Sequence, residues 1–169
     1  TRPEEFVSSR TRHPQHLRLR TGVKKDGTIT AIDLKALMNT GAYGSHGLTV
    51  ICNSGSKTLP LLKAKNVKFW GDSVYTNLPV GGAYRGYGGT QAMLAMGIQF
   101  DEMAEKIGMD TLKFYQRNHI RSGEGSPVFQ ALGEGKEGVE QKIGACGLPE
   151  CIELGAKEMA PVFSEQDLV

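Results

Sequence analysis

Residues 17–39 read LRLRTGVKKDGTITAIDLKALMN, and this stretch decides the fold. LRLRTGV (17–23) alternates apolar and polar side chains, the period of a strand with one buried face. KKDG follows, and Asp26-Gly27 is the strongest local turn signal in the chain, because glycine accepts the positive φ that a tight turn imposes. TITAIDLKALMN (28–39) then alternates again through Ile32, Leu34 and Ala36. Two such runs around one turn predict an antiparallel hairpin.

Outward from the hairpin, Thr1–His16 is polar and punctuated by Pro3 and Pro14, which predicts an entry segment. TGAYGSHGLTVICNSG (40–55) is rich in glycine and small residues and predicts a loop running into a short helix. NVKFWGDSVYT (66–76) predicts a strand, broken or bulged at Gly71. In TQAMLAMGIQFDEMAEKIG (90–108), Met93, Met96, Gly97, Phe100, Met103, Ala104 and Ile107 recur at helical spacing. That predicts a helix with Thr90 as N-cap and Gly108 just past its end. Asp110 caps a second helix through TLKFYQRNH, residues 121–147 lack periodicity and predict a long surface loop, and Pro149 opens a last helix. No internal repeat is present. The fold class is therefore α+β: an antiparallel hairpin-based sheet with flanking helices.

Composition narrows the function. The 169 residues suit one domain, with 39% hydrophobic and 22% charged residues. A net charge of +2 gives no general attraction to nucleic acid or to acidic membranes, and no apolar window approaches a membrane span. Three cysteines, Cys52, Cys146 and Cys151, include no CxxC pair, which speaks against a zinc, iron–sulfur or disulfide framework within this chain. The cytoplasm is the plain expectation. The chain starts at Thr1 rather than Met, as a piece of a longer protein would. Glycine stands out at 22 of 169, against a usual share of about 7%.

The glycines concentrate in GGAYRGYGG (81–89), directly before the longest helix. Glycine lets backbone amides approach a ligand closely, a helix N-terminus favours anions, and arginine adds a fork of donors suited to phosphate. The loop is neither a GxGxxG dinucleotide turn nor a P-loop, since the third glycine and the Gly-Lys-Ser/Thr are missing. Two other accounts stand beside an anion cradle: a glycine turn that packs two tyrosines, or an RNA-binding Arg-Gly segment, which would ordinarily repeat. Tyr84 is expected to pack inward. Glu102, Glu105, Glu134 and Glu153 are available carboxylates, and Glu102 and Glu105 are read as solvated. His46 in GSHG is assigned a loop-stabilising or surface role ahead of a place in the site, and His13 a structural part in the entry segment. His16 and His119 carry no constellation, and no histidine pair has metal-ligand spacing.

GGAYRGYGGTQA resembles the A-[FY]-R-G-[FY]-G-x-x-Q signature of the molybdenum hydroxylases, the xanthine dehydrogenase and aldehyde oxidase family. TRPEEFVSSRTRHP, KKDGTITAID, NTGAYGSHG and TNLP resemble further segments of that family, in order, over about residues 1–120. The resemblance implies a molybdenum cofactor-binding domain over 1–120, a glycine- and glutamate-rich loop over 121–147, and a C-terminal helical segment of the same domain over 148–169. It implies that Gly82, Ala83, Tyr84, Arg85 and Gly86 lie against molybdopterin and that Tyr87 stacks on the substrate ring. Asn53 falls where purine-hydroxylating members carry an arginine, which puts xanthine as substrate in doubt.

The family's glutamate base and its other cofactor loops have no counterpart here, so no catalytic residue and no metal ligand is assigned to this chain. The implied parent is an oxidoreductase that hydroxylates an N-heterocycle, purine- or nicotinate-like, or an aldehyde, with water as oxygen source. Iron–sulfur clusters and FAD would lie on other domains or subunits, beside the remainder of the molybdopterin subunit, and the isolated chain would be inactive. The substrate would be a small aromatic or aldehyde, with no nucleic acid or membrane partner. Two alternatives are a hydroxybenzoyl-CoA reductase-type member of the same family and a non-catalytic module that binds a phosphate-bearing ligand.

Overall fold

The structure is a computed structural model that describes residues 1–131 and 138–159. Its elements run α1 (Arg2–Ser8), β1 (Gln15–Val23), β2 (Ile29–Gly41), α2 (Gly47–Ser56), β3 (Asn66–Tyr75), α3 (Gly89–Ile107), α4 (Thr111–Asn118) and α5 (Leu148–Met159). The three strands form one sheet in the order β1-β2-β3.

The hairpin forms as its alternation dictates. β1 and β2 pair antiparallel from Gln15 opposite Met38 to Val23 opposite Ile29. At the turn the Thr28 amide donates to Asp26 Oδ1 at 3.0 Å, and Gly27 takes φ +83°. β2 turns Ile32, Leu34, Ala36 and Met38 inward, all buried, while Lys35 and Leu37 face out. β3, however, joins β2 in parallel, so the sheet is mixed and only its hairpin half is antiparallel. The alternation of residues 66–76 specifies a strand but not the direction of its partner. That direction follows from the crossover through α2, which returns the chain to the same end of the sheet.

α3 packs Ala92, Met96, Phe100, Met103 and Ala104 against Ile32, Leu34 and Phe114. Phe100 and Phe114 meet edge to face at 5.4 Å. α2 closes a second cluster, with Val50 and Ile51 on Ala36 and Met38. Asp110 caps α4 by accepting from the Lys113 amide at 2.9 Å, and Gly108 ends α3 at φ +67°.

The entry segment is partly helical: Thr1 and Glu4 form a capping box that starts α1. Several expectations are corrected. Gly71 lies in unbroken register opposite Ala36, and the irregularity falls at Asn39/Gly41 instead. Gly71 is needed there because a Cβ would press on Ile51. Gly88, not Thr90, is the N-cap of α3, since Thr90 already lies within the helix. Met93 is exposed, one helical step outside the buried stripe. The 121–147 loop contains a short 3₁₀ turn at Pro127–Ala131 and a bridge between Gly125 and Lys142. Glu134 lies outside the described residues.

Candidate functional site

The glycine loop emerges where the end of β2 meets the entry segment. At its root, the Gly82 amide donates to the Thr11 carbonyl at 3.0 Å, and the Thr11 amide donates to the Val80 carbonyl at 3.3 Å. Gly81 donates to the Thr40 carbonyl, tying the root to β2. Side chains are excluded here by contact: a Cβ on Gly81 would meet the His13 ring, and one on Gly82 the Arg10 side chain.

The tip then turns sharply. Gly86, Tyr87 and Gly88 take φ of +91°, +48° and +95°, three left-handed residues in succession. Two are glycines, which adopt such angles freely, but Tyr87 is held there at a cost of about 1–2 kcal/mol. The surroundings hold it. The Tyr87 amide donates to the Tyr84 carbonyl at 2.8 Å, its ring packs on the cluster containing Val50 and Ile51, and its hydroxyl lies 2.7 Å from His46 Nδ1.

Residues far away in sequence clamp the tip. Arg12 donates through Nη2 to the Arg85 carbonyl at 2.7 Å and through Nη1 to Thr90 Oγ1 at 2.6 Å. Its guanidinium also lies 4.5 Å from the centre of the Tyr84 ring, a cation–π contact. Gln91 in the first turn of α3 donates back to the His13 carbonyl at 3.0 Å. Ser54, fully buried in α2, accepts from Gln15 at 2.9 Å and donates to the Gly88 carbonyl at 3.1 Å. The loop thus lies where α2, α3 and the entry segment come together.

What remains open is a row of backbone donors. Ala83, Tyr84, Arg85 and Gly86 are exposed, and among the described residues none of their amides donates to a protein acceptor. Exposed successive amides next to a helix N-terminus, with the Arg85 guanidinium beside them, form a donor-only surface for anionic oxygens. That chemistry fits a phosphate-bearing pterin. Two shallow depressions lie elsewhere, about 350 Å³ beside Lys35 and Lys68 on the outer sheet face and about 600 Å³ beside Tyr43 and Tyr75. Neither is lined by residues 81–89, so the loop offers a single wall.

His13 sits 1% exposed beneath this wall, with neither ring nitrogen bonded to a protein group among the described residues. Burial, and secondarily the nearby His46, push its pKa below the ordinary histidine value. The structural part expected of His13 is what its burial shows.

The site differs from the sequence expectation in instructive places. Tyr84 does not pack inward: it is 52% exposed and lies under Arg12, because the Arg12 guanidinium fills the space below the loop. Asn53 is half-buried in α2 and its Oδ1 accepts from Ser56 at 3.3 Å, with no hydrogen bond to the loop. His46 and Ser54 of the same region reach the loop in its place. Glu102, Glu105 and Glu153 are exposed on helices, and no group of three or more His, Cys, Asp or Glu suited to a metal occurs among the described residues. Arg12, Gln15 and Ser54 were missed altogether. Arg12 and Arg85 are 73 positions apart, and no local pattern links them.

Comparison with known proteins agrees with this geometry. An aldehyde oxidoreductase from Desulfovibrio gigas superposes with a TM-score of 0.76 at 27% identity, covering 95% of this chain and 16% of that one. A domain that lies in such an enzyme's architecture and presents a donor loop belongs to the cofactor-binding class. The family model described as "Molybdopterin cofactor-binding domain" matches residues 1–119, and the chain belongs to that family. It is 37% identical over 156 residues to a probable hypoxanthine oxidase of Escherichia coli (strain K12), covering 92% of this chain and 16% of that protein. It is 35% identical over 132 residues to the nicotinate dehydrogenase large molybdopterin subunit of Eubacterium barkeri, covering 78% of this chain and 31% of that protein. The chain thus spans less than a third of the length of these relatives. Members of this family bind the molybdopterin cofactor in this domain. Among the described residues no helix is long and apolar enough to cross a membrane.

Proposed function

We propose that this chain is one wall of the molybdopterin site in an oxidoreductase that hydroxylates an N-heterocycle, purine- or nicotinate-like, or an aldehyde, taking oxygen from water. The observation that carries the proposal is the row of unpaired amides at 83–86, clamped from behind by Arg12 and Thr11. Molybdenum with its pterin, when bound, supplies oxygen transfer and accepts two electrons.

This chain's residues bind and orient. The amides from Ala83 to Gly86 would hold anionic oxygens of the pterin, and Arg85 would add charge at the rim. Gly82 serves by letting Arg10 and the entry segment close under the loop. Tyr87 would present the free face of its ring to a planar substrate. Asn53 would lie at the substrate's edge as a neutral hydrogen-bonding group. The relatives named for hypoxanthine and nicotinate favour a ring substrate over an aliphatic one.

The proton acceptor and the remaining cofactor contacts would come from the rest of the subunit, so residues 1–169 alone would be inactive. Residues 1–120 and 148–169 would belong to one cofactor-binding domain, joined by the 121–147 loop. Electrons would pass to iron–sulfur and FAD partners. The test is elemental and pterin analysis of the full-length subunit expressed with its neighbours, followed by turnover in ¹⁸O-labelled water. Molybdenum, pterin and labelled product are expected together; a complex with neither metal nor pterin overturns the proposal.

A further inference from the structure

The bond between His46 and Tyr87 joins two turns that both carry residues at positive φ. His46 is the N-cap of α2 and follows Gly44 and Ser45, both at positive φ. Tyr87 sits between two glycines at positive φ in the loop 41 positions later. The left-handed backbone at Tyr87 does not by itself fix where the far end of the ring lies, so its surroundings place it. Two contacts among the described residues do so: the apolar cluster that contains Val50 and Ile51, and the 2.7 Å bond between the hydroxyl and His46 Nδ1. The rings meet edge to face, with centres 5.9 Å apart and planes at 77°. The contact is a hydrogen bond at the hydroxyl rather than a stack of the two rings, and it anchors the outer end of the tyrosine ring.

We propose that His46 is a positioning residue: by holding the Tyr87 hydroxyl it pins the far end of the ring in place and so favours flat ring substrates over aliphatic ones. The inference rests on the reading of Tyr87 as the substrate-facing ring. A phenylalanine at position 87 could pack on the same cluster, but its ring would be free to pivot. A ring already pinned in place loses less conformational freedom when substrate arrives, which tightens binding without touching the reacting atoms.

The experiment uses the full-length complex, first analysed for molybdenum and pterin, in the wild type and in His46→Ala, His46→Asn, Tyr87→Phe and the Ala/Phe double variant. Binding of hypoxanthine, nicotinate and acetaldehyde is measured by equilibrium dialysis against the dithionite-reduced complex, which binds but cannot oxidise them. KM and kcat are measured with the oxidised complex. His46→Ala should weaken binding of the ring probes about tenfold, the scale of one well-oriented aromatic contact, with acetaldehyde and metal content unchanged. KM should follow the dissociation constant while kcat stays within about twofold. Asparagine, which can place an amide where Nδ1 lies, should restore binding. Tyr87→Phe should match His46→Ala, and the double variant should be no worse than either.

Equal losses for acetaldehyde, additive effects in the double variant, or unchanged ring binding would each overturn the positioning role while leaving the cofactor wall intact. A wild-type complex that binds neither ring probe would also overturn it. A complex that lacks molybdenum and pterin overturns both inferences, and that result is read before any variant is compared.

Discussion

The hairpin tip at Asp26-Gly27 closes on itself, whereas the loop at 81–89 is held from several distant parts of the chain. At the tip the bonds are short in sequence: Gly27 to the Lys24 carbonyl, Lys24 to the Thr28 carbonyl, Thr28 to Asp26. One long-range anchor is added, Asn118, which accepts from the Ile29 amide and donates to the Gly27 carbonyl. The loop has few bonds of its own and depends on Thr11, Arg12, Thr40, His46 and Ser54. A turn made by its own residues needs little from the fold. A binding loop is instead preorganised by the fold, so damage to distant parts reaches it.

The sharpest way to break that contrast is a pair of alanines. Gly88 has φ +95° and its Cβ would strike the Val50 carbonyl and Ser54, both held by buried structure. Gly88→Ala should lower unfolding free energy by about 3 kcal/mol in denaturant titration, and cofactor content with it. Gly27 has φ +83°, but a Cβ there meets only the flexible end of Met109. Gly27→Ala should cost about 1 kcal/mol. Equal costs would mean that backbone strain alone, not the surrounding clamp, sets the loop's sensitivity.

The next largest effect falls on the distant anchor of the hairpin tip. Asn118 is buried and its side chain satisfies three backbone groups, those of Ile29, Gly27 and Phe114. Asn118→Ala removes the partner of the buried Ile29 amide and of the Gly27 carbonyl and should cost about 2 kcal/mol. Hydrogen exchange should quicken at Ile29 and not at the hydrogen-bonded Gly82 and Tyr87 amides of the loop. Faster exchange at the loop would mean that the two regions are coupled through α4.

What was legible follows the same division. The hairpin, the α3 face of Met96, Phe100 and Met103, and the Asp110 cap were readable because each depends on residues within a turn or two. The parallel attachment of β3 was not, because the pattern of Phe69, Gly71 and Ser73 records which face is buried and not which neighbour is beside it. At the site, the glycines and Arg85 announced a close backbone approach. The clamp did not announce itself: Arg12, Gln15 and Ser54 are ordinary polar residues until the fold brings them to carbonyls of the loop. Tyr87 carried a partial signal, since an aromatic ring set among glycines stands in the loop that comes closest to a ligand. His46 stood in a glycine turn that hid its partner 41 positions away.

A smaller effect tests the clamp directly. Arg12→Met removes two hydrogen bonds and the contact with Tyr84 but keeps the length of the side chain. Because Arg12 is only half-buried, the cost to global stability should be about 1 kcal/mol. The larger consequence is local. Trypsin should cut after the exposed Arg85 several times faster than in the wild type, with hairpin sites unaffected. Unchanged cleavage at Arg85 would show that the loop is held by its root alone.

The slightest shift at neutral pH concerns His13, and it appears only on acidification. Its ring is buried under Gly81 with no bonding partner among the described residues, and its pKa is depressed by that burial and by His46. The unfolded chain takes up this proton near pH 6.5, whereas the folded protein resists it to lower pH. The contribution is therefore whole above about pH 6.5 and declines as pH falls below it towards the depressed native value. Across that window the wild type should lose stability faster than His13→Gln, which has no proton to gain. The loss should begin at the loop root, where exchange at the Gly81 and Gly82 amides should quicken before that of β2. Parallel pH profiles for the two proteins would mean that His13 stays neutral for another reason, such as a bond made only in the full-length subunit.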